Sequence, residues 1–464
     1  MTGSLGTART FPTADEIEAN TPPSRDRAID VIRIAALVGV VAGHTIMATS
    51  IITDGVFHWG NLLTTSPVFQ ALTWVFQIMP LFFFAGVAAS VGSYQPGGSW
   101  GGWLLKRCTR LYRPVFYYLA FWGMALVGLR HVLPEHVYEP VAGISIQLLW
   151  FLGAYVLVLA AVPALAHLTT APRLAVAVAG TYGVIAVVDV VRVSDPGWTA
   201  LSYVNFVAWL IPGMFGVAYR RGLLTSRAAL VLAAAMFGVN VALFWFGPYQ
   251  LSLVGIDAEG LRNMTPPSLL LAGHAIMLCA LAIAAAPAIG RWARRPRVWR
   301  LAVIGNSGAM TLYLWHMPLL LGMHLVFDGL GFPRFPGQPH FVVLAVVQVA
   351  LMAVLMSATF VALRRLENDP LPRWDGGYVA RPGTRSAAVG VLLCIAGAAT
   401  LASCAWGLKD EGRWCVAVML VGLGGARLLA SDAALTPRTV EIALSDTVSR
   451  TSSQPPLPQR PGAD

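Results

Sequence analysis

Charge is scarce in this chain. Asp, Glu, Lys and Arg make up 12% of its 464 residues, against about 25% in a soluble domain. With 56% hydrophobic residues, that shortage excludes an ordinary soluble fold. Lysine is almost missing: only Lys106 and Lys409 occur, and the remaining basic residues are arginine, as in a GC-rich bacterial genome. The five cysteines form no CxxC or other metal-type spacing, so neither a disulfide framework nor a metal site is expected. Carboxylates are missing from the apolar runs, apart from Asp30 at the mouth of the first and Asp189 at an outer end. A proton-coupled transporter usually needs a carboxylate relay at membrane depth, so this absence weighs against that class. The net charge of +10 does not read as a nucleic-acid face, because the basic residues fall in short clusters between apolar runs.

What is present is a series of apolar runs, each near the ~20 residues that a helix needs to cross a bilayer. About twelve are expected, at 29–51, 67–92, 113–131, 145–165, 173–191, 200–219, 228–247, 267–289, 302–327, 340–363, 386–407 and 413–430. The fold class is therefore all-α, a polytopic membrane bundle. Residues 1–24 lack a basic n-region and a short apolar core, and read as a disordered cytosolic tail rather than a signal peptide. Residues 371–385 read as a cytosolic linker, and 431–464, rich in Ser, Thr and Pro, as a second disordered tail. With both termini in the cytosol, 26 of the 32 Lys and Arg fall on the inner side. That is the positive-inside pattern of an inner-membrane protein.

Polar residues inside the runs are the functional candidates. Residues 25–47 read RDRAIDVIRIAALVGVVAGHTIM. Arg33 and His44 are eleven residues apart, close to three full turns, so they share one helix face roughly 16 Å apart. Asp30, three residues before Arg33, can pair with it. An imidazole at that depth needs a cavity or a partner. In the stretch KRCTRLYRPVFYY, Arg110 and Arg113 are spaced i, i+3, so both guanidinium forks can point one way and suit phosphate oxygens. The ninth run opens GNSGAMTLYLWHMPLLL, with Ser307, Tyr313 and His316 as its polar members. Two histidines at membrane depth point to a shared polar cavity.

Together these features resemble the acyltransferase-3 family of integral membrane O-acyltransferases. IDVIRIAALVGVVAGH carries the family's acidic residue, arginine and histidine as Asp30, Arg33 and His44. PLFFFAG matches its phenylalanine-rich turn, with Ala85 where the family often has serine. Arg110 and Arg113 match its RxxR pair, and Ser307, Tyr313 and His316 its SxxxYLxH signature. LENDP, with Glu367, stands for its Glu-x-Pro element with one extra residue. The resemblance covers residues 25–370, a ten-helix core; the last two runs extend beyond it.

The resemblance implies transfer of an acyl group, usually acetyl, from cytosolic acyl-coenzyme A as co-substrate to a hydroxyl of a cell-envelope glycan, glycolipid or secondary metabolite. His44 is then the expected general base, since its unperturbed pKa of about 6.5 suits that task, with an acyl-histidine intermediate as the competing mechanism. Arg33 anchors the donor or orients the site, with Asp30 holding it in place. Arg110 and Arg113 hold coenzyme A phosphate, and Tyr313, His316, Ser307 and Glu367 are secondary candidates. The rival reading is a multi-span transporter of a lipid or small metabolite.

Overall fold

The computed structural model describes residues 11–256, 260–375 and 382–431. Twelve of its helices are long and apolar enough to cross a membrane: Arg27–Met47, Pro67–Val91, Trp100–Val132, Glu135–Ala160, Ala171–Ser194, Ala200–Arg220, Ser226–Phe246, Leu269–Trp292, Ala309–Gly329, Phe341–Asn368, Thr384–Ser403 and Asp410–Ala430. They are called the first to twelfth spans below. The protein is thus a multi-pass all-α membrane bundle, and its helices follow the apolar runs closely.

The differences have local causes. The first helix stops at Met47 because the next residues form a hairpin, β1 (Ala48–Thr53) and β2 (Val56–Asn61). Its turn residues Asp54 and Gly55 both have positive φ, 52° and 79°, as a tight type I′ connection requires. The hairpin is tied to the ninth span. Ser50 Oγ donates to Asp328 Oδ2 at 2.6 Å and lies 2.7 Å from His324 Nδ1. Arg334 donates to the carbonyls of Ala48 and Ile46, satisfying acceptors at the end of the first helix. Asp328 and Glu367, outside the apolar runs, lie inside the spanning helices.

The third span begins at Trp100 rather than at 113, because Ser99 caps a helix that runs on through Pro114 to Val132. Arg107 and Arg110, which precede the expected run, therefore sit along this helix. The ninth run is two helices, Pro296–Asn306 and Ala309–Gly329, broken at Ser307 and Gly308.

The tail expected to be disordered over 1–24 is partly ordered. Thr13 and Glu16 form a capping box on the helix Ala14–Ala19, and its Ile17 is buried against Trp299 and Ala302. Residues 1–10 of that tail, 376–381 of the linker and 432–464 of the second tail lie outside the described residues. The last two spans are not a loose appendage. A Cβ on Gly153 in the fourth span would lie 2.5 Å from the carbonyl oxygen of Gly397 in the eleventh, so the backbones meet through small residues, a usual membrane packing device.

Candidate active site

Two cavities lie end to end along the first span. The first, about 570 Å³, is lined by Asp30, Arg33, Arg110, Tyr313 and Glu367, and also by Arg25, Arg220 and Asn306. The second, about 440 Å³, is lined by His44 and Tyr313, with Trp59, Gln77, Gln147 and Trp150. Tyr313 lines both, and its hydroxyl donates to the Leu148 carbonyl. The uninterrupted helix Arg27–Met47 carries Arg33 into one chamber and His44 into the other.

Asp30 organises the arginine chamber. It is buried and accepts from Arg33 Nη2 at 2.9 Å and from Arg25 Nε at 2.5 Å. Asn306 extends the network: its Oδ1 accepts from Arg33 Nε at 2.7 Å, and its Nδ2 donates to the Asp30 carbonyl at 2.9 Å. Two fixed acceptors thus hold the Arg33 fork from one side. Arg110 is exposed to this chamber.

Arg113 is placed differently, although only one turn away. It is buried. Its Nε donates to Asp375 Oδ2 at 2.8 Å, its Nη2 pairs with the other oxygen, and its Nη1 donates to the carbonyls of Glu367 and Asn368 at 2.8 and 3.0 Å. Those acceptors take the donors that the RxxR reading reserved for phosphate. Arg113 instead anchors residues 367–375 to the third span, where Trp374 Nε1 also donates to the Thr109 carbonyl at 2.8 Å.

Glu367 has a capping geometry. Its carboxylate accepts from the Thr311 amide at 2.9 Å, the Thr311 hydroxyl at 3.0 Å and the Met310 amide at 3.3 Å. The helix Ala309–Gly329 starts at Gly308 with no side-chain cap of its own, so the tenth span supplies the acceptor that its orphan amides need. Ser307 Oγ turns back to the Ile304 carbonyl at 2.7 Å.

In the other chamber the two histidines meet. His44 Nδ1 is 2.8 Å from His316 Nε2, and the rings stack at 5.1 Å. His316 is fully buried, whereas the exposed surface of His44 faces the cavity. His316 Nδ1 lies 2.7 Å from the Tyr313 carbonyl oxygen. A carbonyl only accepts, so His316 Nδ1 carries the proton. Its Nε2 is then the acceptor in the neutral ring, and His44 Nδ1 donates to it. This chain fixes the tautomer and leaves the lone pair of His44 on Nε2.

Residue-by-residue reading did not single out Arg25, Asn306 or Tyr155. Asn306 lay within the quoted GNSG, beside Ser307. Tyr155 packs over Gly86 of PLFFFAG, where an added Cβ would fall 2.2 Å from its hydroxyl. Gly86→Ala is therefore expected to displace Tyr155 from the arginine chamber, costing about 1–3 kcal/mol. Thermal unfolding in detergent checks this, and an unchanged midpoint would contradict it.

Helices of this length around paired polar chambers define a multi-pass membrane protein with a polar, cavity-bearing interior. A family model described as an acyltransferase domain matches residues 26–357, and the chain belongs to that family, acyltransferase-3. It is accordingly a membrane acyltransferase. No curated protein and no solved structure matches it.

Proposed function

We propose that this protein moves an acyl group, acetyl being the usual one, from cytosolic acyl-coenzyme A to a hydroxyl of an envelope sugar, glycolipid or secondary metabolite. The reading places it in the inner membrane with both termini in the cytosol. One observation carries it: a histidine with a fixed tautomer faces one chamber, a clamped arginine faces another, and Tyr313 lines both.

Arg33 and Arg110 hold donor phosphate in the first chamber, where guanidinium forks offer charge-assisted bonds. The pantetheine arm runs along the first span, past Tyr313. In the second chamber His44 Nε2 takes the acceptor's hydroxyl proton as that oxygen attacks the thioester carbonyl. The C–O bond forms, the C–S bond breaks, and coenzyme A leaves as its thiol after taking up a proton. His316 acts as a positioning residue through His44 Nδ1, as the orienting partner of a general base does.

The experiment is donor kinetics in membranes, reading thiol release from acetyl-coenzyme A together with ester formation. Arg33→Ala is expected to raise the donor KM by about tenfold or more, the loss of one charge-assisted hydrogen bond or two. Arg33→Lys is expected to rescue it poorly, because an ammonium cannot meet Asp30 and Asn306 with the same fork. A donor KM unchanged in both variants would remove Arg33 from the donor site.

A further inference from the structure

Taking the His44 chamber as the acceptor site, as proposed above, the geometry points to an acceptor that is electrically neutral at the acylated unit: a hydroxyl-rich glycoside bearing no carboxylate, phosphate or amine there. The two chambers differ in charge. Arg33 has Arg25, Arg110 and Arg220 around it, with Asp26, Asp30 and Glu367. Among the described residues, no Asp, Glu, Lys or Arg lines the chamber of His44. Arg262 lines the adjoining vestibule instead, which shares Trp59, Gly60 and Asn61 with that chamber.

An ionised group entering such a chamber leaves its hydration and meets no counter-charge from the described residues of its wall, which is costly at membrane depth. A neutral polyol has only hydroxyl hydration to replace, and the wall supplies matching groups. Gln147 is exposed and makes no side-chain hydrogen bond to the described residues. A carboxamide both donates and accepts, as a hydroxyl does. Asn61 engages the Leu63 amide through Oδ1 at 3.0 Å, leaving its Nδ2 donors for a ligand. Gln77, at the break in the second span, also lines the chamber, but it is buried and its Nε2 is turned to Met264 Sδ at 2.8 Å.

The remaining surface is aromatic. Trp59, Phe76 and Trp150 are half-buried and line the chamber from three different elements, and their electron-rich faces attract the polarised C–H groups of a sugar ring. Trp59 is held edge-on by His324 at 5.1 Å, and Trp150 packs against Trp209 at 5.5 Å. Neither ring needs to be ordered by the ligand.

The test uses the full-length protein in detergent with acetyl-coenzyme A. The probes are methyl glucoside, mannoside and galactoside, each paired with its uronide, and ester formation is read by mass spectrometry. Transfer to neutral glycosides is expected to exceed transfer to the uronides by about tenfold or more. Gln147→Lys is expected to narrow or invert that ratio, because it places a counter-charge in the chamber. Uronides used as well as their neutral partners would overturn the inference and leave acyl transfer standing. Transfer to no glycoside, with thiol release intact, would overturn the neutral-glycoside class alone. Wild-type protein that releases no thiol from acetyl-coenzyme A would overturn the reading on which the inference rests.

Discussion

Replacing His44 by alanine is expected to lower acyl transfer by a factor of about 10²–10⁴, the range lost when a general base is removed. The effect should fall on kcat, because His44 faces the chamber opposite the arginine clamp and takes no part in holding donor phosphate. His316→Ala should produce a smaller fall. That variant leaves the base in place but removes the acceptor of its Nδ1 proton at 2.8 Å, so the ring can turn and exchange tautomers. A purely structural His316 would leave the pH profile of kcat unmoved. A positioning His316 should shift that profile while the donor KM stays near its wild-type value. Normal turnover by His44→Ala, at normal protein levels in the membrane, would end the assignment of His44.

The second large effect separates two arginines that the sequence pairs. Arg113→Ala should destabilise the protein by about 3–5 kcal/mol, the usual consequence of removing one partner of a buried ion pair. It strands Asp375 and also releases the carbonyls of Glu367 and Asn368. Because Glu367 caps the helix that carries Tyr313 and His316, part of the damage should reach the site indirectly. Arg110→Ala should leave thermal stability nearly unchanged and raise the donor KM by about tenfold, as befits an exposed cation in the arginine chamber. Unfolding midpoints and donor kinetics on both variants read the contrast. Equal shifts in KM with no change in stability would restore the shared phosphate role.

That contrast shows where sequence reasoning stops. The spacing of Arg110 and Arg113 places them on one helix face, and nothing local distinguishes them. What separates them is Asp375, 262 residues away from Arg113 in sequence, which reaches it only once the chain after the tenth span folds back. Asn306 is similar: it is one more polar residue in GNSG until packing brings it against Arg33. The histidine pair was half legible. Depth and polarity mark His44 and His316 as unusual, but their contact joins residues 272 apart.

The sequence alone determined that this protein lives in lipid, how many times its helices can cross, and that Asp30, Arg33 and His44 share one helix face. Those are matters of composition and of a 3.6-residue period, which need no neighbours. Only the tertiary structure decided which cations stay open to a ligand, which tautomer His44 adopts, and that the chamber beyond it carries no charge among its described residues. Each depends on an acceptor, a carbonyl or a wall supplied by a distant helix. In a membrane, where unpaired polar groups are expensive, such partners fix what a side chain can do.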